Sequence, residues 1–150
     1  MMKSIFDKIM IFSGAHELNC GLTNEQIVNF EVANKIKLPD ALKEIYKNFN
    51  GGELFVPGTT VYGLDGDGIT ETIKNKNSKA NRMKMSLPNN YLIFAKLNYG
   101  DLVCVNLNSP YDVVQWSHED DNLFCEWDSI EQWLLEMIAD YEEYEAGDRV

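Results

Sequence analysis

Cysteine is scarce in this chain and follows no pattern. Cys20, Cys104 and Cys125 are three in number with no C-x-x-C pair, which argues against a disulfide framework. Two histidines, His16 and His118, are too few to build a zinc site without clustered partners. No apolar run approaches the roughly 20 residues that span a bilayer, so no membrane association is expected. The first eight residues carry Lys3, Asp7 and Lys8 and so lack the apolar core of a signal peptide. A cytoplasmic protein is the expectation. Catalytic signatures are missing too: there is no G-x-S-x-G, phosphate loop, dinucleotide fingerprint or H-E-x-x-H. The sequence therefore predicts neither an enzyme nor a cofactor.

Positive charge is nearly absent from one end. Residues 1–118 balance at 12 acidic and 12 basic side chains, whereas residues 119–150 hold 12 acidic ones against Arg149 alone. The whole net charge of −11 belongs to this last stretch. Such a field repels nucleic acid and anionic membrane, so no direct nucleic-acid binding is expected. It attracts cationic surfaces over about a Debye length, ~8 Å at physiological salt. With 150 residues, 45% of them hydrophobic and 25% charged, the chain reads as one soluble domain over 1–150 with a core of its own.

Helices dominate the first third. Ile5, Phe6, Ile9 and Phe12 predict a short amphipathic helix ending at Ser13-Gly14. Thr23 with Gln26 three positions later is a capping-box pair. The helix it opens should run to about Ile36 and bury Ile27, Phe30 and Val32. Leu38-Pro39 through Asn50-Gly51-Gly52 spells a third helix. Pro39 suits its first position, Leu42, Ile45, Tyr46 and Phe49 form its stripe, and the glycines stop it. From Gly52 the texture turns strand-like, with Glu53–Val56, Thr59–Tyr62, Tyr91–Leu97, Leu102–Leu107, Asp112–Ser117 and Leu123–Trp127 as strands. Tight polar connections favour antiparallel pairing. Residues 74–90 are expected to be a long polar loop with room for a helical turn. A final helix runs from Ser129 to about Glu145, with Ser129 and Gln132 as a second capping box. Ile130, Trp133, Leu134, Met137, Ile138 and Tyr141 are its predicted buried stripe. The end of this helix and the residues after it, 142–150, read as an acidic tail. The order implies an α+β fold, an antiparallel sheet packed against N-terminal helices and a long C-terminal helix.

Each chemical motif has a plain competitor. Asp65-Gly66-Asp67-Gly68 begins like a calcium loop, but Ile69 takes a ligand position and Thr70 stands where glycine is required. A hairpin turn is expected there. His118 beside Glu119, Asp120 and Asp121 has metal-ligating atoms, yet a strand end followed by a solvated acidic turn accounts for it, and no metal is expected. Cys125 and His118 are near in sequence, which says nothing about a nucleophile and its base. The bases from Lys74 to Lys84 have no interleaved aromatics for stacking on nucleobases. Trp116, Trp127 and Trp133 have the makings of a ligand cage, but helical periodicity puts Trp133 in the core.

Taken in order, Glu31, Leu38-Pro39, Asn50-Gly51-Gly52, Gly100-Asp101, Trp116-Ser117-His118-Glu119 and Trp133 resemble the SUKH superfamily. It includes the Smi–Knr yeast cell-wall regulators and many bacterial toxin-immunity proteins. The resemblance is strongest over residues 23–138 and implies a structural role for Glu31, Leu38, Pro39, Asn50, Gly51, Gly52, Gly100, Asp101, Trp116, His118 and Trp133. It implies a non-catalytic immunity protein that binds a cognate protein toxin, with a regulatory interaction module as the alternative. The acidity adds an expectation about the partner, a basic surface such as a nuclease presents. Glu119, Asp120, Asp121, Glu126 and Asp128 are the candidate contact residues.

Overall fold

A computed structural model describes residues 2–64 and 71–148. The Asp65–Gly68 turn, with its calcium-loop alternative, lies outside the described residues. Helix α1, Met2–Ile11, buries Ile5, Phe6 and Ile9. Strand β1, Glu17–Leu18, follows; at two residues it was too short to be legible in the sequence. Helix α2, Asn24–Asn34, opens on the expected capping box: the Gln26 N–H donates to Thr23 Oγ1 (3.2 Å) while Gln26 Oε1 accepts from the Thr23 N–H (2.9 Å). Ile27 and Phe30 are buried, but Val32 is 73% exposed, against expectation. Two residues past Phe30 is some 200° around a helix, so both cannot face one core.

Helix α3, Asp40–Asn48, buries Leu42, Ile45 and Tyr46. Two details of its ends differ from the sequence reading. Pro39 is the N-cap, at φ −58° and ψ 147°, and Asp40 takes the first helical position. The helix stops at Phe49, whose extended backbone (φ −155°) breaks it before any glycine is reached. Gly51 and Gly52 do have positive φ, 76° and 128°. Their task is the turn into the sheet, where a Cβ on Gly51 would lie 2.6 Å from the Gly63 nitrogen.

The sheet is a seven-stranded antiparallel meander in the order β1 to β7. After β1 come β2 (Gly52–Leu54), β3 (Thr59–Val61), β4 (Tyr91–Leu97), β5 (Leu102–Asn106), β6 (Val113–Ser117) and β7 (Asn122–Trp127). Strands β4 to β6 are largely buried on both faces because both are covered, with Gln115 and Ser117 as buried polar exceptions on β6. Cys104 at their centre is fully buried, and burial pushes its thiol up to about 12. Edge strand β7 alternates instead: Asn122, Phe124 and Glu126 are exposed, and Leu123, Cys125 and Trp127 half-buried.

Helix α6, Ile130–Asp148, packs on the sheet, with the Trp133 ring edge-on to Phe94 at 5.2 Å. Ile130, Trp133, Leu134 and Ile138 are buried, whereas Met137 and Tyr141 are only half-buried. The Gln132 N–H donates to Ser129 Oγ (3.2 Å), but the Gln132 side chain accepts from Asp128 (3.4 Å) rather than from Ser129, so the box closes one residue early. The helix runs on through residues expected to be a tail.

Residues 71–90 are more ordered than a polar loop with a single helical turn. They form α4 (Ile73–Lys76) and α5 (Lys79–Arg82), each capped by a hydroxyl, Thr72 and Ser78. Where short β3 ends, Asn77 replaces a strand partner for β4: its Oδ1 accepts from the Ile93 N–H (2.9 Å) and its Nδ2 donates to the Ile93 carbonyl (2.8 Å). Arg82 donates to the carbonyls of Tyr91 (2.8 Å) and Pro88 (2.7 Å). Unsatisfied backbone at a sheet flank is costly, and this polar segment supplies the missing groups. The result is one α+β domain.

Candidate functional site

The motif residues are engaged with one another and with backbone. Glu31 Oε2 accepts the Leu38 N–H at 2.8 Å and lies 3.7 Å from Lys43 Nζ, which braces the corner between α2 and α3. Leu38 is buried beneath it. Buried Asn50 accepts the Leu64 N–H at 2.9 Å through Oδ1. In the β4–β5 turn, Gly100 has φ 104° and lies under the His118 ring, 3.0 Å from where its own Cβ would stand. Asp101 receives His118 Nδ1 (2.6 Å), the His118 N–H (3.2 Å) and Gln115 Nε2 (3.0 Å). Burial alone would raise the Asp101 carboxyl; the bonds from Gln115 and His118 outweigh it and hold the group below the usual range. His118 thus follows the end of β6 and ties the β4–β5 turn to it. Among the described residues, no three His, Cys, Asp or Glu side chains group as a metal site would.

The five nominated acidic residues fall on three successive pieces of chain, the β6–β7 turn, β7 and the approach to α6. Glu119 and Asp120 are exposed on the β6–β7 turn. Asp121 accepts from the Ser86 N–H (2.7 Å), Ser86 Oγ (2.8 Å) and Trp116 Nε1 (2.9 Å), and these bonds, Ser86 first, hold its carboxyl low. It ties the turn to residues 71–90, so it is not an uncommitted docking charge. Glu126 pairs with Val114, and its neighbour Trp127 donates its indole N–H to Glu136 on α6. Alternation along the strand therefore puts Glu126 on the sheet face away from α6. Asp128 is exposed just before α6.

The fold gathers a different set. A groove of about 490 Å³ runs between α6, β7 and the β4–β5 turn, lined by Tyr99, Gln115, Trp127, Trp133, Glu136 and Asp140 among others. Glu136 and Asp140 are four residues apart and share one face of α6. Partial burial first, then Glu136 and Glu143, push the Asp140 carboxyl upward. A second groove of about 380 Å³ lies between the starts of α3 and α6, against Leu38, Pro39, Tyr111 and Ile130. The first groove was missed because its aromatic wall comes from β7 and its acids from α6. The i, i+4 spacing of Glu136 and Asp140, in step with Trp133 and Met137, was the available signal.

The family model for SMI1 / KNR4 (SUKH-1) matches residues 21–136. No curated protein matches the chain. No helix among the described residues is long and apolar enough to cross a membrane.

Proposed function

This chain belongs to the SMI1 / KNR4 family (SUKH-1), and on that premise we propose that it is a non-catalytic immunity protein that binds and blocks a cognate bacterial toxin in the cytoplasm. Family membership fits an immunity or a regulatory protein, and either role works through protein–protein contact. The observation that carries the immunity reading is the one-sided charge, 12 acidic residues against one basic over 119–150. The β6–β7 turn, β7 and α6 carry most of it. A toxin that cleaves nucleic acid needs a cationic cleft, and an acidic surface occupies such a cleft as a substitute for phosphate. Complementarity of this kind speeds association and selects partners.

The test is co-expression with toxins encoded beside this chain's own gene, scoring growth and co-purification. Rescue by the intact chain, with a complex recovered, is the expected result. A chain that rescues against none of them and co-purifies with a resident signalling protein is a regulatory module instead.

A further inference from the structure

We propose that the groove between α6, β7 and the β4–β5 turn is a receptor for one arginine side chain of the protein partner. This deepens the interaction reading above and rests on it. Aromatic side chains line it: the exposed ring of Tyr99, half-buried Trp127 and, at its base in the core, Trp133. Glu136 and Asp140 line the same space, and no ion pair among the described residues uses either carboxylate. Glu136 is held in place by the Trp127 indole N–H. Gln115, only 6% exposed, spends its amide nitrogen on Tyr99 Oη (2.9 Å) and Asp101 (3.0 Å). Its carbonyl oxygen has no donor among the described residues and is not sealed from solvent.

This groove offers acceptors and flat π-faces but no base of its own. Carboxylates one helical turn apart repel; burial first, and then the charges of Glu136 and Glu143, raise the Asp140 carboxyl, and a cation between the two acids removes their mutual repulsion. Arginine fits better than lysine. Its planar guanidinium stacks on an indole while its five donors reach carboxylates and an amide oxygen together. An ammonium is compact and strongly hydrated, and makes little use of an aromatic wall. The motif pair Asp101 and His118 matters here, because Asp101 fixes Gln115, which fixes Tyr99.

The full chain, ¹⁵N-labelled, is titrated with three blocked tripeptides, Gly-Arg-Gly, Gly-Lys-Gly and the neutral, nearly isosteric Gly-citrulline-Gly. Indole N–H resonances of Trp127 and Trp133 should shift saturably with the arginine peptide and several-fold more weakly with lysine. Citrulline should move neither. Trp116, committed to Asp121, is the internal control and should stay still. The Glu136→Gln/Asp140→Asn pair should lose the response without any fall in melting temperature. Equal shifts with citrulline, a response that survives in the amide pair, or no saturable shift would each overturn the proposal. The two readings separate in co-expression. If the intact chain and the amide pair protect equally, immunity stands and the groove falls. If the intact chain protects against no toxin yet binds the arginine peptide, the groove stands and immunity falls.

Discussion

A Cβ at Gly52 would stand 2.4 Å from the Glu17 carbonyl oxygen, at a φ of 128°, whereas at Gly14 it would meet nothing within 4 Å. Gly52→Ala should therefore destabilise the protein by at least about 1 kcal/mol, through both strain and collision. Gly14→Ala should leave the denaturant midpoint nearly unchanged, and the two variants together test whether close approach, not helix stopping, explains the glycine pair. Carboxylates supply a second contrast. Asp101, Asp112 and Asp121 are all held low, with burial opposing at each and hydrogen bonds prevailing. Their stabilising contribution is complete above the unfolded value, about 3.9, and drains away as pH falls through the lowered folded values. Asp140 has the opposite sign: its raised carboxyl makes ionisation unfavourable in the fold. Asp140→Asn should raise the melting temperature at neutral pH, and that gain should vanish in acid, where the wild-type carboxyl is protonated too.

Elements packed against the sheet hold by different means. Helix α6 relies on packing: Trp133 is 3% exposed and meets Phe94 edge-on at 82°. Trp133→Ala should cost about 3–5 kcal/mol, read by chemical denaturation. Residues 71–90 rely on hydrogen bonds. Asn77→Ala would strip partners from the Ile93 N–H and carbonyl beside a buried side chain, at a cost of about 1–3 kcal/mol. Faster amide exchange at Ile93 is the direct readout, and unchanged exchange would refute the role given to this side chain. Polar composition alone suggested a solvated loop here. The same asparagines and hydroxyls that read as solvent-seeking are local caps and a substitute strand.

At the scale of the molecule, charge is segregated by sequence and redistributed by folding. Among the described residues, the carboxylates after residue 118 reach several surfaces: the β6–β7 turn, the face of β7 away from α6, and α6. Association with a cationic partner should slow as salt rises, because screening shortens the reach of the whole field. Stopped-flow rates at two ionic strengths measure this. Glu119→Gln with Asp120→Asn removes two exposed charges and should slow association modestly while leaving stability alone. Asp121 belongs in no such test, since three hydrogen bonds depend on it.

What the sequence determined by itself was periodicity and punctuation. The spacing of Leu42, Ile45 and Tyr46, the Thr23–Gln26 box and the apolar run of β4 act within a few residues, so short-range physics decides them. The family resemblance, read from ordered motifs, survived comparison over residues 21–136. Tertiary structure alone decided which polar groups are spent inside the fold and which stay uncommitted at its surface. Glu31 meets Leu38, His118 meets Asp101 and Asp121 meets Ser86, and the last two pairs join elements that sequence spacing cannot connect. The groove is the clearest case: α6 contributes its acids, β7 an indole and the β4–β5 turn a phenol ring. Only a register between strands and the seating of a helix bring such distant residues together, because long-range packing fixes both.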